Sequence, residues 1–135
     1  MLGSAEVVTF IPTLDFAKSR PFYEETLGLR FVNDDGFALV FAMGEQKIAG
    51  SENKSSGVVL RLVKVGTLLP HPFTVLGWNV SDIDQTVTRL AERAVTFERY
   101  PWMPQDGMGV WTAPGGTRVA WFKDPDGNLL SVSQF

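Results

Sequence analysis

The stretch Val119–Phe135, VAWFKDPDGNLLSVSQF, decides how the sheet of this chain is built. Asp124-Pro125-Asp126-Gly127 is a turn. Pro125 presets φ near about −65°, Asp126 can bond its own backbone, and Gly127 accepts the left-handed conformation. Such a turn joins two antiparallel strands through a three-residue loop closed by a glycine bulge. In that register Asp124 pairs with Asn128, Lys123 faces Leu129, Phe122 faces Leu130 and Trp121 faces Ser131. Ala120, Phe122, Leu130 and Val132 then share one apolar face. Trp121, Ser131 and Ser133 share the other, which has the composition of a cavity wall. A calcium loop is the rival reading of Asp124, Asp126 and Asn128. An EF-hand places glycine after its third acidic position and glutamate at the twelfth. Here Gly127 precedes Asn128 and the twelfth position is Phe135, so the turn is preferred.

Upstream of the hairpin the chain repeats one plan. Glu6–Ile11 is a short apolar strand that Pro12 should halt. Asp15 can cap a helix over Phe16–Leu27, closed by Gly28, with Pro21 costing it a hydrogen bond. Strands are predicted at Arg30–Asn33, Phe37–Ala42 and Val58–Val65, with a polar, mobile loop from Gly44 to Gly57. The second copy begins with the strand Phe73–Val80. Ser81 and Asp84 are spaced like a capping pair, and Ile83, Val87, Leu90, Ala91 and Ala94 make one apolar helical stripe. Strands follow at Val95–Tyr100, Val110–Thr112, Arg118–Lys123 and Leu129–Ser133. The order β-α-β-β-β therefore occurs twice, in residues 5–66 and 73–135. This is an α+β chain of two tandem modules, whose sheets are expected to curl into one mixed sheet around a central trough.

Bulk properties narrow the function. The 135 residues fit one domain made of two small modules, and a chain of this size folds without disulfides or metal. There is no cysteine, which excludes thiolate ligands and a cysteine nucleophile. With 12 Lys+Arg against 15 Asp+Glu, a net charge of −3 and no basic block, nucleic acid is not an expected partner. No apolar run is long enough to span a membrane and no targeting segment opens the chain, so a soluble cytoplasmic protein is expected. One histidine, His71, lies between Pro70 and Pro72 and reads as a solvent-facing loop residue. No serine has a nucleophile-elbow signature.

The tail hairpin, Phe22-Tyr23 followed by Leu27-Gly28-Leu29, and Val80-Ser81-Asp82-Ile83 together resemble the vicinal-oxygen-chelate superfamily of glyoxalase I, bleomycin-resistance proteins and extradiol dioxygenases. The resemblance covers nearly the whole chain and implies the glyoxalase/bleomycin resistance fold and, commonly, a homodimer. It also implies four metal-ligand positions. Three fall on Val8, Val75 and Ser131, and the fourth lies in Gly57–Val65, a strand without carboxylate, histidine or amide. Alternation sends Leu60 and Leu62 to the helix-covered core and Val59, Arg61 and Val63 to the trough. Two valines, a hydroxyl and a guanidinium do not hold a divalent cation, so no metal and no cofactor are expected.

A trough without metal can still bind a ligand. Phe10, Phe41, Arg61, Trp102, Trp111, Trp121 and Ser131 are the candidate ligand-binding residues, for a small organic molecule that is aromatic or anionic. The aromatic residues are equally compatible with filling a small core, and Arg61 with a solvated strand position. Trp78 alternates with Val75 and belongs under the helix. Trp102–Gly109 reads as a loop at the trough mouth. The functions left open are a sequestering protein of the bleomycin-resistance kind, a metal-dependent lyase, isomerase or dioxygenase with a relocated site, a metal-free acid–base enzyme using Glu6, Glu98, Tyr100 or Asp106, and an interaction module with a filled trough.

Overall fold

A half-buried strand hides every second side chain, and Val58–Lys64 does so in the computed structural model of this chain, which describes residues 1–47, 50, 54, 55 and 57–135. Leu60 and Leu62 are fully buried, whereas Val59, Arg61 and Val63 are half-buried on the other face. This strand is central to the first of two units, Met1–Leu68. In chain order the unit contains β1 (Val7–Thr13), α1 (Phe16–Pro21), β2 (Arg30–Asp34), β3 (Ala38–Met43), the short strands β4 (Gln46–Lys47) and β5 (Lys54–Ser55), and β6 (Val58–Lys64). Its four-stranded sheet runs β1-β6-β3-β2, with β1 parallel to β6 and the other pairs antiparallel. The loop expected over Gly44–Gly57 lies partly outside the described residues; β4 and β5 form a two-stranded ladder within it.

Two expectations about proline change here. Pro12 does not halt β1 but lies within it, because β1 is an edge strand, where a residue without an N–H is tolerated. Pro21 does more than cost the helix expected over Phe16–Leu27 a hydrogen bond. It ends the α-helical turns, and the chain continues as a π-helical turn over Phe22–Thr26, in which the Leu27 N–H donates to the Phe22 carbonyl at 2.9 Å. A missing donor and a bulky ring favour such widening. The start is as expected, with an Asp15 carboxylate oxygen accepting from the Ala17 N–H at 2.9 Å. Ile11, Leu39, Phe41, Leu60 and Leu62 form the core beneath Tyr23, whose ring centroid lies 6.2 Å from that of Phe41. Each such large side chain stabilises the fold by about 1.5–3 kcal/mol on burial.

The second unit, Leu69–Phe135, contains β7 (Thr74–Asn79), α2 (Ile83–Glu92), β8 (Trp111–Thr112), β9 (Arg118–Lys123) and β10 (Leu129–Gln134). Its sheet runs β7-β10-β9-β8, with β7 parallel to β10. First strand, last strand, third, second: the order is that of the first unit. The helix cap is Asp82 rather than Ser81, its carboxylate accepting from the Gln85 N–H at 3.0 Å. Ile83, Val87 and Leu90 are buried, but Ala91 is exposed within the helix, and Ala94 is exposed beyond its end at Glu92, where it turns to φ 67°. The strand expected over Val95–Tyr100 shrinks to one bridge, Phe97 to Phe122. The Gln105 side chain accounts for this. It accepts from the Tyr100 N–H at 2.8 Å and donates to the Glu98 carbonyl at 2.8 Å, groups that a ladder would otherwise use.

The closing hairpin has the expected register, Lys123 to Leu129, Phe122 to Leu130 and Trp121 to Ser131. Gly127 adopts φ 89° and donates its N–H to the Asp124 carbonyl at 3.0 Å. Asp124, 5% exposed, accepts from the Asp126 and Asn128 N–H groups and from the Asn128 side-chain amide, each at 2.9 Å. Its carboxylate is committed to the turn. Ala120, Phe122, Leu130 and Val132 are buried on one face, as the alternation requires.

Candidate ligand-binding site

The faces opposite the helices carry the candidate residues, and the first unit is the simpler of the two. Phe10 on β1, Arg61 on β6 and Val40 on β3 form one rung across the sheet. Phe10 is 63% exposed. Arg61 forms an ion pair with Asp35, Nη2 to Oδ2 at 2.7 Å. Backbone N–H groups of Phe37 and Ala38, then the Arg61 guanidinium, hold the Asp35 carboxyl below its ordinary range. The positive charge proposed to meet an anion is therefore already matched. Phe41 does not join this face. It pairs with Leu60, is fully buried, and packs on Tyr23 and Phe31, because its position along β3 points it towards the π-helical turn that carries Tyr23.

In the second unit the corresponding rung is Gly77, Ser131 and Trp121. Ser131 is buried, and a Cβ on Gly77 would lie 2.6 Å from its Oγ, so the serine hydroxyl fills the space that glycine leaves. Trp111 and Trp121 are neighbours at 6.1 Å between ring centroids. Trp121 also meets Tyr100 edge-on at 5.7 Å and 80°, and Tyr100 meets Trp102 at 5.2 Å.

Tyr100, Trp102 and Trp121 border a cleft of ≈ 530 Å³ contained wholly within the second unit. Trp121, Lys123 and Leu129 contribute from β9 and β10. Glu98, Tyr100 and Trp102 contribute from the connecting segment, and Pro70–Thr74 closes the remaining side. Trp102 is 77% exposed there, an unusual exposure for the largest apolar side chain. The Lys123 ammonium lies 3.1 Å from the Glu98 carboxylate. Burial and then the Glu98 charge push the Tyr100 phenol above its usual pKa, partly opposed by Lys123. The phenol thus stays protonated and can donate a hydrogen bond. The volume lies within the usual range for small-molecule sites, about 300–1,000 Å³.

Of the expected residues, Trp102 and Trp121 meet at this cleft with Trp111 behind them; Ser131 pairs with Trp121 but is buried against Gly77 rather than lining the cleft, and Phe10 and Arg61 belong to the first unit. His71 is exposed as expected, but it also borders the cleft and stacks on Phe73 at 5.4 Å and 15°. Lys123 and His71 escape sequence reasoning. The hairpin register does place Lys123 one alternation from Trp121, which was the available signal.

The sequence of residues 6–132 matches the Glyoxalase/Bleomycin resistance protein/Dioxygenase superfamily. The chain belongs to that superfamily. It is 32% identical over 122 residues to the uncharacterized protein YraH of Bacillus subtilis (strain 168), covering 87% of this chain and 88% of YraH. Superfamily folds superpose on it along nearly their full length. One is a glyoxalase/bleomycin resistance protein from Streptomyces sp. CB03234, at 26% identity and TM-score 0.60, covering 96% of this chain and all (100%) of that one. Another is the lactoylglutathione lyase of Agrobacterium tumefaciens, at 19% identity and TM-score 0.64, covering 97% and 93%.

The metal of this superfamily does not suit the residues present. Val8 and Val75 offer no donor atom, the Ser131 hydroxyl is buried against Gly77, and the β6 candidate facing away from the helix is Arg61, bound to Asp35. Among the described residues no three His, Asp or Glu side chains are grouped so as to hold a metal ion. No helix among them is long and apolar enough to cross a membrane.

Proposed function

We propose that the chain binds a flat organic molecule in the aromatic cleft of its second unit without the superfamily's metal ion, a sequestering role of the bleomycin-resistance kind. The observation that carries this reading is the convergence of Tyr100, Trp102 and Trp121 on one cleft. Aromatic walls provide contact area at low conformational cost, and stacking fixes the orientation of a planar ligand. The protein is proposed to act as a cytoplasmic homodimer built from one two-module domain. A lyase, isomerase or dioxygenase role is less well supported. Glu98 is engaged by Lys123, and the raised Tyr100 phenol is a poor base.

The test is a tryptophan-fluorescence titration with a panel of planar aromatic compounds. Saturable quenching at one ligand per chain, with the compound recovered unchanged, is expected. Trp102→Ala should weaken that binding by about tenfold, the loss of one stacked ring. Trp102 is largely exposed, so this variant should fold. Turnover of the compound, or one equivalent of zinc, nickel, manganese or iron in the dialysed protein, would overturn the reading.

A further inference from the structure

We propose that the ligand of this cleft is an organic ammonium ion, and that the Lys123 ammonium holds its place on the Glu98 carboxylate until it arrives; the inference rests on the binding function proposed above.

Tyr100 stands nearly perpendicular to Trp121 and tilted against Trp102, so three π systems border one space. Electron-rich ring faces attract cations, most strongly where water is excluded, and rings grouped about a carboxylate are a suitable setting for an alkylated ammonium group. Glu98 supplies that carboxylate within the same cleft. Its side chain is 27% exposed, a setting in which a charge retains much of its field.

Lys123 occupies the partner position at 3.1 Å, but its side chain is 55% exposed. A lysine has a flexible stem and a strongly hydrated head, and an exposed pair of this kind is weak. Lys123 can therefore swing into water at small cost while a bulkier, less hydrated cation takes the carboxylate and contacts the rings. The Tyr100 phenol responds to both charges, which places the pair within electrostatic reach of the aromatic wall. An anion would meet the opposite conditions: it would have to detach Lys123 from Glu98 and remain beside that carboxylate. The other candidate anion site, Arg61, is occupied by Asp35. A net charge of −3 also favours the approach of cations.

Calorimetric and fluorescence titrations of the full chain with phenyltrimethylammonium, its neutral isostere tert-butylbenzene, and benzoate test the inference. The cation should bind about tenfold or more tightly than either other probe. Lys123→Met should strengthen cation binding by about threefold or more, and Glu98→Gln should weaken it by about tenfold, with folding of each variant checked by circular dichroism. Lys123→Gln provides a second, polar replacement. Preference for benzoate, or cation binding weakened in both Lys123 variants, would overturn the ammonium inference and leave the binding function standing. Preference for the neutral isostere would do the same. Binding of none of the three, together with failure of the wider aromatic panel, would overturn both.

Discussion

Phe10, Arg61 and Val40 make one rung across the first sheet, and Gly77, Ser131 and Trp121 make the matching rung across the second. The rungs lie at equivalent places in units of identical strand order, yet strand by strand the residues differ in kind: Phe10 against Gly77, Arg61 against Ser131 and Val40 against Trp121. On the helix-covered faces the opposite holds: Leu60 beside Phe41 answers to Leu130 beside Phe122, and all four are fully buried. The difference teaches where the repeat is constrained. A face that must exclude water admits only apolar side chains that fit, whereas the other face can carry an ion pair in one copy and an aromatic wall in the next.

The largest expected effect concerns the Gly77–Ser131 contact. Gly77→Ala places a methyl carbon 2.6 Å from Ser131 Oγ and 3.4 Å from its carbonyl oxygen. Denaturant unfolding should show a loss of about 1–3 kcal/mol, in line with overpacking elsewhere. Adding Ser131→Ala should recover most of it. If the single variant unfolds like wild type, the close approach is not what distinguishes this rung from Phe10–Arg61.

The helix ends offer a second contrast. Gly28 closes the first helix at φ 75°, while the second closes on Ala94 at φ 67°, with the Val95 N–H donating to the Leu90 carbonyl at 3.0 Å. A left-handed residue with a Cβ is strained by about 1–2 kcal/mol. After allowing for the greater freedom of glycine in the unfolded chain, Ala94→Gly should stabilise by about 0.5–1 kcal/mol. Gly28→Ala should destabilise by a similar amount, and equal melting temperatures would contradict the argument.

The smallest effect separates the ion pairs. Asp35 is held below its ordinary pKa mainly by backbone N–H groups, and Asp84 mainly by hydrogen bonds from Arg118. A lowered folded-state pKa adds stability above the unfolded value, near about pH 4, and that stability is lost as the pH falls through the lowered one. Melting temperatures of the wild type should therefore decline below about pH 4, and Asp35→Asn and Asp84→Asn should each flatten the decline. Arg61→Met should leave much of the Asp35 share in place, because the Phe37 and Ala38 N–H groups remain, whereas Arg118→Met should remove most of the Asp84 share.

The hairpin was legible in the sequence because Asp124, Pro125 and Gly127 specify one turn, and the turn fixes every pairing beyond it. The helix-covered faces were legible from period-two alternation. What escaped was set by contacts distant in sequence. Gln105 donates to the Glu98 carbonyl and accepts from the Tyr100 N–H and so removes a strand, and Asp82 prevails over its neighbour Ser81 as the cap. Phe41 faces Tyr23 of the π-helical turn because β3 is registered on Leu60, which its own segment does not reveal. The cleft draws on the Pro70–Thr74 segment, on Glu98 to Trp102 and on two strands, and no local pattern links them.

All four tryptophans, Trp78, Trp102, Trp111 and Trp121, lie in the second unit, and the first has none. The tryptophan emission of this protein, excited selectively over the tyrosines, is therefore an optical signal of one half alone. Far-UV circular dichroism sees both halves. Following the two signals through a single denaturant titration turns an accident of composition into a direct assay of whether the repeated units melt together or in turn.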